Sequence, residues 1–208
     1  MYSLPESEPL RSALILPLIQ ALVYTDPREA FQLALDQPIN EQVDNPLTVR
    51  GFEVSILSVI AYNDLDLAIE LVPQVRDRGQ SKALAYSTIA SSLIERGESQ
   101  QAMNLGKQLP NQQQTQYYRR LASSWMLQDP KELLKAIDEF PTNETKSKVA
   151  LQILMFNNMR QTYSADELAN IDKFLTEEDR KNHEAIQDID LMNPSEAERK
   201  VLEELFPY

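Results

Sequence analysis

Residues 121–130, LASSWMLQDP, carry a mostly apolar stretch into an aspartate turn and straight on into a second helix. Three other segments do the same: 18–27 (LIQALVYTDP), 56–65 (ILSVIAYNDL) and 89–98 (IASSLIERGE). Their turn residues, Asp26, Asp64, Gly97 and Asp129, are separated by 38, 33 and 32 positions. A proline follows each turn 9 to 13 residues later, at Pro38, Pro73, Pro110 and Pro141. Self-similarity at this period marks an array of helix hairpins. Arrays of this kind mostly bind other chains, so the architecture is legible where the partner's identity is not.

Working outward, the helix starts carry their own chemistry. Asp26-Pro27-Arg28-Glu29 and Asp129-Pro130-Lys131-Glu132 each place an acidic N-cap, a proline at the first helical position and a glutamate at the third. The proline lacks an N–H that would be unsatisfied there anyway, and the glutamate is expected to reach back to the cap's own N–H. Asn193-Pro194-Ser195-Glu196 repeats the pattern, Ser164 with Glu167 gives a serine version, and Asn45-Pro46 supplies cap and proline alone. Between these starts the apolar spacing is helical: Tyr86, Ile89, Ala90, Leu93 and Ile94 share a face, as do Tyr118, Leu121, Ala122 and Trp125. The reading is helices near 8–25, 27–36, 46–62, 64–77, 81–96, 98–109, 113–128, 130–140, 144–160 and 164–175, with further segments at 177–189 and 195–205. The small triplets Ala90-Ser91-Ser92 and Ala122-Ser123-Ser124 are expected where two helix axes approach closely.

Composition narrows the class. The chain has 208 residues and only four glycines, which disfavours strand-rich folds with their many tight turns. No cysteine is present, excluding disulfides, thiolate metal sites and a cysteine nucleophile. The net charge of −12 is uneven, with 13 Asp and Glu against 5 Lys and Arg in residues 161–208. Such a surface repels backbone phosphates and anionic membranes, so no nucleic acid is expected among its partners, while a basic partner is permitted. The most apolar run, residues 13–24, is broken by Pro17 and Gln20 and is too short to cross a bilayer, and its flank lacks the basic start of a secretory signal. A complete chain of this kind is expected in the cytoplasm; one trimmed from a longer protein fits the periplasm.

These residues resemble the tetratricopeptide family, a solenoid of 34-residue helix pairs. The family's aromatic, aliphatic, small and apolar positions look like Tyr86, Ile89, Ala90 and Leu93, its turn glycine like Gly97, and the alanine of its second helix like Ala102. The next repeat matches at Tyr118, Leu121, Ala122, Trp125 and Asp129, with Leu134 standing where the small residue should be; Ile19 and Leu57 depart likewise in the first two. The early prolines imply second helices shorter than the family's. The resemblance covers residues 12–160. It implies an all-α fold, a right-handed superhelix of stacked antiparallel helix pairs, in which first helices line a concave face that holds a peptide or helix. Residues 8–176 are assigned to the array and 177–208 to an acidic helical cap, with occupation of the groove by the acidic tail as the alternative.

Candidates on first helices are Asn63, Gln80, Lys82, Tyr86, Gln116, Tyr117, Arg119, Arg120, Lys146 and Lys148. The basic group Arg119, Arg120, Lys146 and Lys148 suits a peptide carboxylate, although a solvated helix face explains the same charges. Catalytic chemistry is sparse. His183 is the single histidine and reads as exposed helix, which with no cysteine makes a zinc site untenable. Asp188 and Asp190 have the spacing that opens a calcium loop, but Met192 offers no oxygen where the fifth position needs one. Trp125 reads as core. No enzyme activity and no cofactor is expected. The leading function is a non-catalytic interaction scaffold; the alternatives are a superhelical accessory domain of a larger enzyme, such as a cell-wall lytic enzyme, and a helical-repeat RNA binder, against which the acid excess argues.

Overall fold

A computed structural model describes residues 8–37, 51–78, 81–186, 189 and 193–205. Among these the chain is all-α, with twelve α-helices, two 3-10 turns and no strand. Two compact units divide it, Met1–Gln113 and Gln114–Tyr208, so the second holds both the later hairpins and the acidic stretch from residue 177.

In the first unit α1 (Glu8–Leu22) pairs with α2 (Pro27–Leu35), α3 (Phe52–Asn63) with α4 (Leu65–Leu71), and α5 (Ser81–Glu95) with α6 (Ser99–Gly106). Successive pairs also touch, α2 against α3, α3 against α5, and α4 against α5. Ile19, Ala30, Phe31, Leu57, Ala68, Ile89, Ala90, Leu93 and Ala102 form the interior, none more than 1% exposed. In the second unit α7 (Asn111–Gln128) leads through Asp129 into α8 (Pro130–Ala136), and α9 (Asn143–Arg160) packs on α10 (Ala165–Asp172) and on α11 (Glu177–Ile186), which meets α12 (Glu196–Leu205). Its interior includes Tyr117, Tyr118, Leu121, Leu133, Val149, Ile153 and Ile171, all 0% exposed.

The aspartate turns explain why three hairpins look alike. Asp26, Asp64 and Asp129 share nearly one backbone conformation, with φ of −141°, −146° and −144° and ψ of 80°, 89° and 85°. Each side chain accepts from the N–H three residues on, at 2.9 to 3.0 Å. The cap's own N–H does not go to the glutamate expected for Asp26 and Asp129. It closes the preceding helix instead, donating to Leu22, Ile60 and Trp125 carbonyls respectively. One residue therefore ends one helix and begins the next. Glu132, released from that task, accepts from the Trp125 indole N–H at 3.2 Å, and Trp125 is core as expected, 2% exposed.

The Gly97 hairpin turns differently. Gly97 has φ +76°, and Glu98 N–H reaches the Leu93 carbonyl at 2.8 Å in the pattern of a left-handed helix end. Its second helix has Glu98 at the N-cap position, one residue later than the glycine and with no side-chain capping bond. Counting four residues from each cap brings Ala30, Ala68, Ala102 and Leu133 into one register, all 0% exposed. The position equivalent to those three alanines is thus Leu133, and Leu134 is half-buried beside it.

Other boundaries also shift. The second helices are short: α4 and α8 have 7 residues and finish as 3-10 turns, Val72–Gln74 and Ile137–Glu139. Ser164 and Glu167 form a complete capping box. At α12 the cap is Ser195, with Glu198 returning to its N–H at 2.6 Å, two residues later than the expected Asn193. Of the two small triplets only Ala90 and Ala122 are fully buried; Ser91, Ser92 and Ser123 turn their hydroxyls back to carbonyls four residues earlier. Asn45, Pro46, Gln80, Asp188, Asp190 and Met192 lie outside the described residues.

Candidate functional site

Side chains on successive second helices are bonded to each other within each unit. In the first, Arg28 on α2 makes a two-pronged bond to Glu70 on α4, at 2.6 and 2.5 Å, and Gln32 donates to Gln74 at 3.0 Å. In the second, Lys131 at the start of α8 donates to both oxygens of Glu167 on α10, at 2.8 and 2.7 Å. The same ammonium lies 5.1 Å from the Tyr163 ring centre, and Tyr163 donates its hydroxyl to the Pro130 carbonyl at 2.9 Å. Burial pushes that phenol up to about 12, helped by Glu167 and Asp129, so it remains a donor across the ordinary pH range.

The predicted peptide-binding residues fare unevenly. Lys82 and Tyr86 belong to the first unit and the other six to the second. Tyr86 is 1% exposed, with its hydroxyl 3.5 Å from Gln108, and Tyr117 is 0% exposed, edge-on to Tyr118. Both aromatics therefore serve packing, where the sequence reading placed them at the surface. Their three- and four-residue spacing from Ile89, Ala90 and Leu121 is a core face. Arg119 is exposed and Arg120, Lys82 and Gln116 are half-buried, while Asn63 is exposed and donates to the Val59 carbonyl. Neither Arg119 nor Arg120 lies within 4.0 Å of a carboxylate among the described residues.

Lys146 and Lys148 are already engaged within the chain. Lys146 faces Asp138 at 3.5 Å. Lys148 donates at 2.7 Å to Asp179, a carboxylate 1% exposed that also accepts from Ser147 at 2.5 Å and Thr176 at 3.2 Å. Burial pushes the Asp179 carboxyl up, but these bonds outweigh it and hold the group below its ordinary 3.8. The acidic stretch thus meets one of the predicted cations through α11. His183, expected on the surface, is half-buried, and desolvation lowers its pKa against the opposing pull of Asp172 and Glu184.

One feature had no sequence signal of its own. A cleft of about 350 Å³ in the second unit is lined by Leu134, Lys135, Ile137, Asp138, Glu167, Asn170, Lys173 and Phe174. It lies on second helices, α8 with its 3-10 turn and the end of α10, and none of the predicted peptide-binding residues is among its lining. The two lysines stand far apart in sequence, and only the approach of α8 to α10, bridged by Lys131 and Glu167, assembles them.

Among the described residues no helix is long and apolar enough to cross a membrane, and no group of three or more His, Asp or Glu could hold a metal ion. No family model, curated protein or solved structure matches the chain.

Proposed function

We propose that the chain is a non-catalytic protein-interaction scaffold, its hairpins stacked as a tetratricopeptide-like α-solenoid of the right-handed kind that the resemblance implies. The observation that carries this reading is the cross-hairpin bonding of second helices, Arg28 to Glu70 and Lys131 to Glu167. Bonds from one second helix to the next are what stacked hairpins make, and layers that touch only their neighbours leave extended surfaces for a partner. Residues 177–208 act in this reading as the acidic cap, α11 being joined to α9 through Asp179, Ser147 and Lys148.

The partner is a peptide or helix carrying carboxylates, met by Arg119 and Arg120, which retain no carboxylate of their own among the described residues. Cross-linking in cell extract, followed by identification of the attached protein, tests this. Arg119→Glu with Arg120→Glu is expected to abolish capture while helicity and thermal midpoint stay unchanged. Capture that persists in this variant would remove the assigned face. Repeated failure to recover any protein, with substrate turnover found instead, would remove the scaffold itself.

A further inference from the structure

The cleft on α8 and α10 has a built-in asymmetry of charge. Two of its carboxylates have their own cations: Asp138 faces Lys146, and Glu167 takes both bonds from Lys131. Two lysines are then left over. Lys135, on α8, has no carboxylate within 4.0 Å among the described residues, and Lys173, at the end of α10, donates only to the Asn170 side chain at 2.7 Å. The nearby Asp172 is directed to Arg180 at 3.3 Å. A protein of net charge −12 thus keeps a small cationic rim here. Between the lysines the lining is apolar: Ile137 is 3% exposed, and Leu134 and Phe174 are half-buried.

A cavity of about 350 Å³ falls in the range of small-ligand sites, which combine an apolar floor with a few placed polar groups. We propose that this cleft binds a small amphipathic carboxylate, its apolar body on Leu134, Ile137 and Phe174 and its anion on Lys135 and Lys173. The anion replaces water around two ammonium groups that lack a protein counter-charge, and the body covers apolar surface now open to solvent. A ligand with two carboxylates would meet Asp138 and Glu167 and is disfavoured; an uncharged one forgoes the lysines. The same chemistry is offered by a free aryl or alkyl acid and by the C-terminal carboxylate of a chain ending in an apolar residue. This site is separate from the Arg119 and Arg120 face and does not depend on the scaffold reading.

The test is amide NMR titration of the full chain with 4-phenylbutyrate, with 4-phenylbutanamide as the uncharged control. A second pair, acetyl-glycyl-phenylalanine and its C-terminal amide, separates a free acid from a chain end. Saturable shifts confined to residues 134–138 and 167–174 are expected for the acids, with each amide binding at least about tenfold more weakly. Lys135→Gln with Lys173→Gln should lose about as much, and Phe174→Ala should weaken both acids without restoring the amides. Both lysines are exposed, so their replacement leaves the amide spectrum otherwise intact. Tighter binding of the peptide acid assigns the site to chain ends, and tighter binding of phenylbutyrate assigns it to free acids. Shifts elsewhere, amides binding as well as acids, or no saturation with either acid would overturn the proposal.

Discussion

Among the described residues each unit buries one carboxylate on a helix and answers it with a cation from elsewhere in the same unit, yet the two answers are built differently. In the first, Glu53 on α3, 1% exposed, meets the fork of Arg76, whose Nε and Nη2 donate to its two oxygens at 2.8 and 2.7 Å. The same guanidinium donates to the Gln37 carbonyl at 2.8 Å and the Ala34 carbonyl at 3.4 Å, at the end of α2. In the second, Asp179 on α11 receives one bond from Lys148 and two from hydroxyls, Ser147 and Thr176. Arginine's planar fork can satisfy a carboxylate and orphaned helix-end carbonyls together, whereas a lysine delivers a point charge and leaves the rest of the geometry to neighbours. The first lock therefore has a single keystone and the second shares its task among three side chains.

The largest effect should come from removing the keystone. Arg76→Ala leaves Glu53 buried without a counter-charge and takes a donor from the Gln37 carbonyl, a change worth about 3–5 kcal/mol of stability. Urea unfolding followed by hydrogen exchange should show protection lost across α2, α3 and α4. A loss below about 1 kcal/mol would mean that Glu53 finds water or another donor. Lys148→Met should cost less, about 1.5–3 kcal/mol, because Ser147 and Thr176 still donate to Asp179. Its acid dependence has a fixed sign. The Asp179 carboxyl lies below 3.8 when folded, so its contribution is present above that value and is lost as pH falls through the folded one. If both variants cost the same, the distinction between the two locks fails.

How much of this the sequence could disclose follows from what each residue type announces locally. Asp26, Asp64 and Asp129 are legible because capping is decided within three residues, and the helices after them fall within a residue or so of their expected starts. Arg76 and Glu53 are opaque, since 23 residues separate them and nothing near either marks a buried pair. Gly51 is opaque as well, because the Glu53 side chain that constrains it is held by Arg76. It takes φ +75°, and a Cβ there would stand 2.5 Å from a Glu53 carboxylate oxygen, so the glycine is explained by a side chain two positions on that folds back under it. Tyr86 and Tyr117 misled the site assignment because an aromatic on a first helix reads equally as groove or core until its neighbours are placed. The basic cleft escaped notice because Lys135 and Lys173 each look like ordinary surface charge.

A smaller effect should be equal in the two units. The turn aspartates share one geometry, so Asp64→Ala in the first and Asp129→Ala in the second should each cost about 1 kcal/mol, typical of a lost N-cap. Thermal or urea midpoints read both. A cost at Asp129 well above that at Asp64 would mean that the Trp125 to Glu132 bond depends on the cap, and the common turn would no longer be a common energy.

The smallest effect separates charge from capping within the second unit alone. Glu167 and Glu198 both close capping boxes, on Ser164 and Ser195, but only Glu167 also holds a lysine. Two bonds from Lys131, followed by those from Ser164, bring the Glu167 carboxyl down to about 2 against the opposing push of burial. Ser195 lowers Glu198 through its side chain and its N–H, with no cation involved. Both groups are depressed, so each stabilises the fold above the ordinary 4.5, and the Glu167 share disappears between that value and about 2. NMR titration of the two carboxyls should give a lower midpoint for Glu167, and Lys131→Met should raise it toward that of Glu198 without reaching 4.5. High salt should do part of the same, because the pair is partly exposed and screened, while Glu198 moves little. Were Glu167 to titrate with Glu198 in the unaltered chain, Lys131 would contribute nothing in solution, and of these polar links the Tyr163 to Pro130 bond would be the one left holding the start of α8.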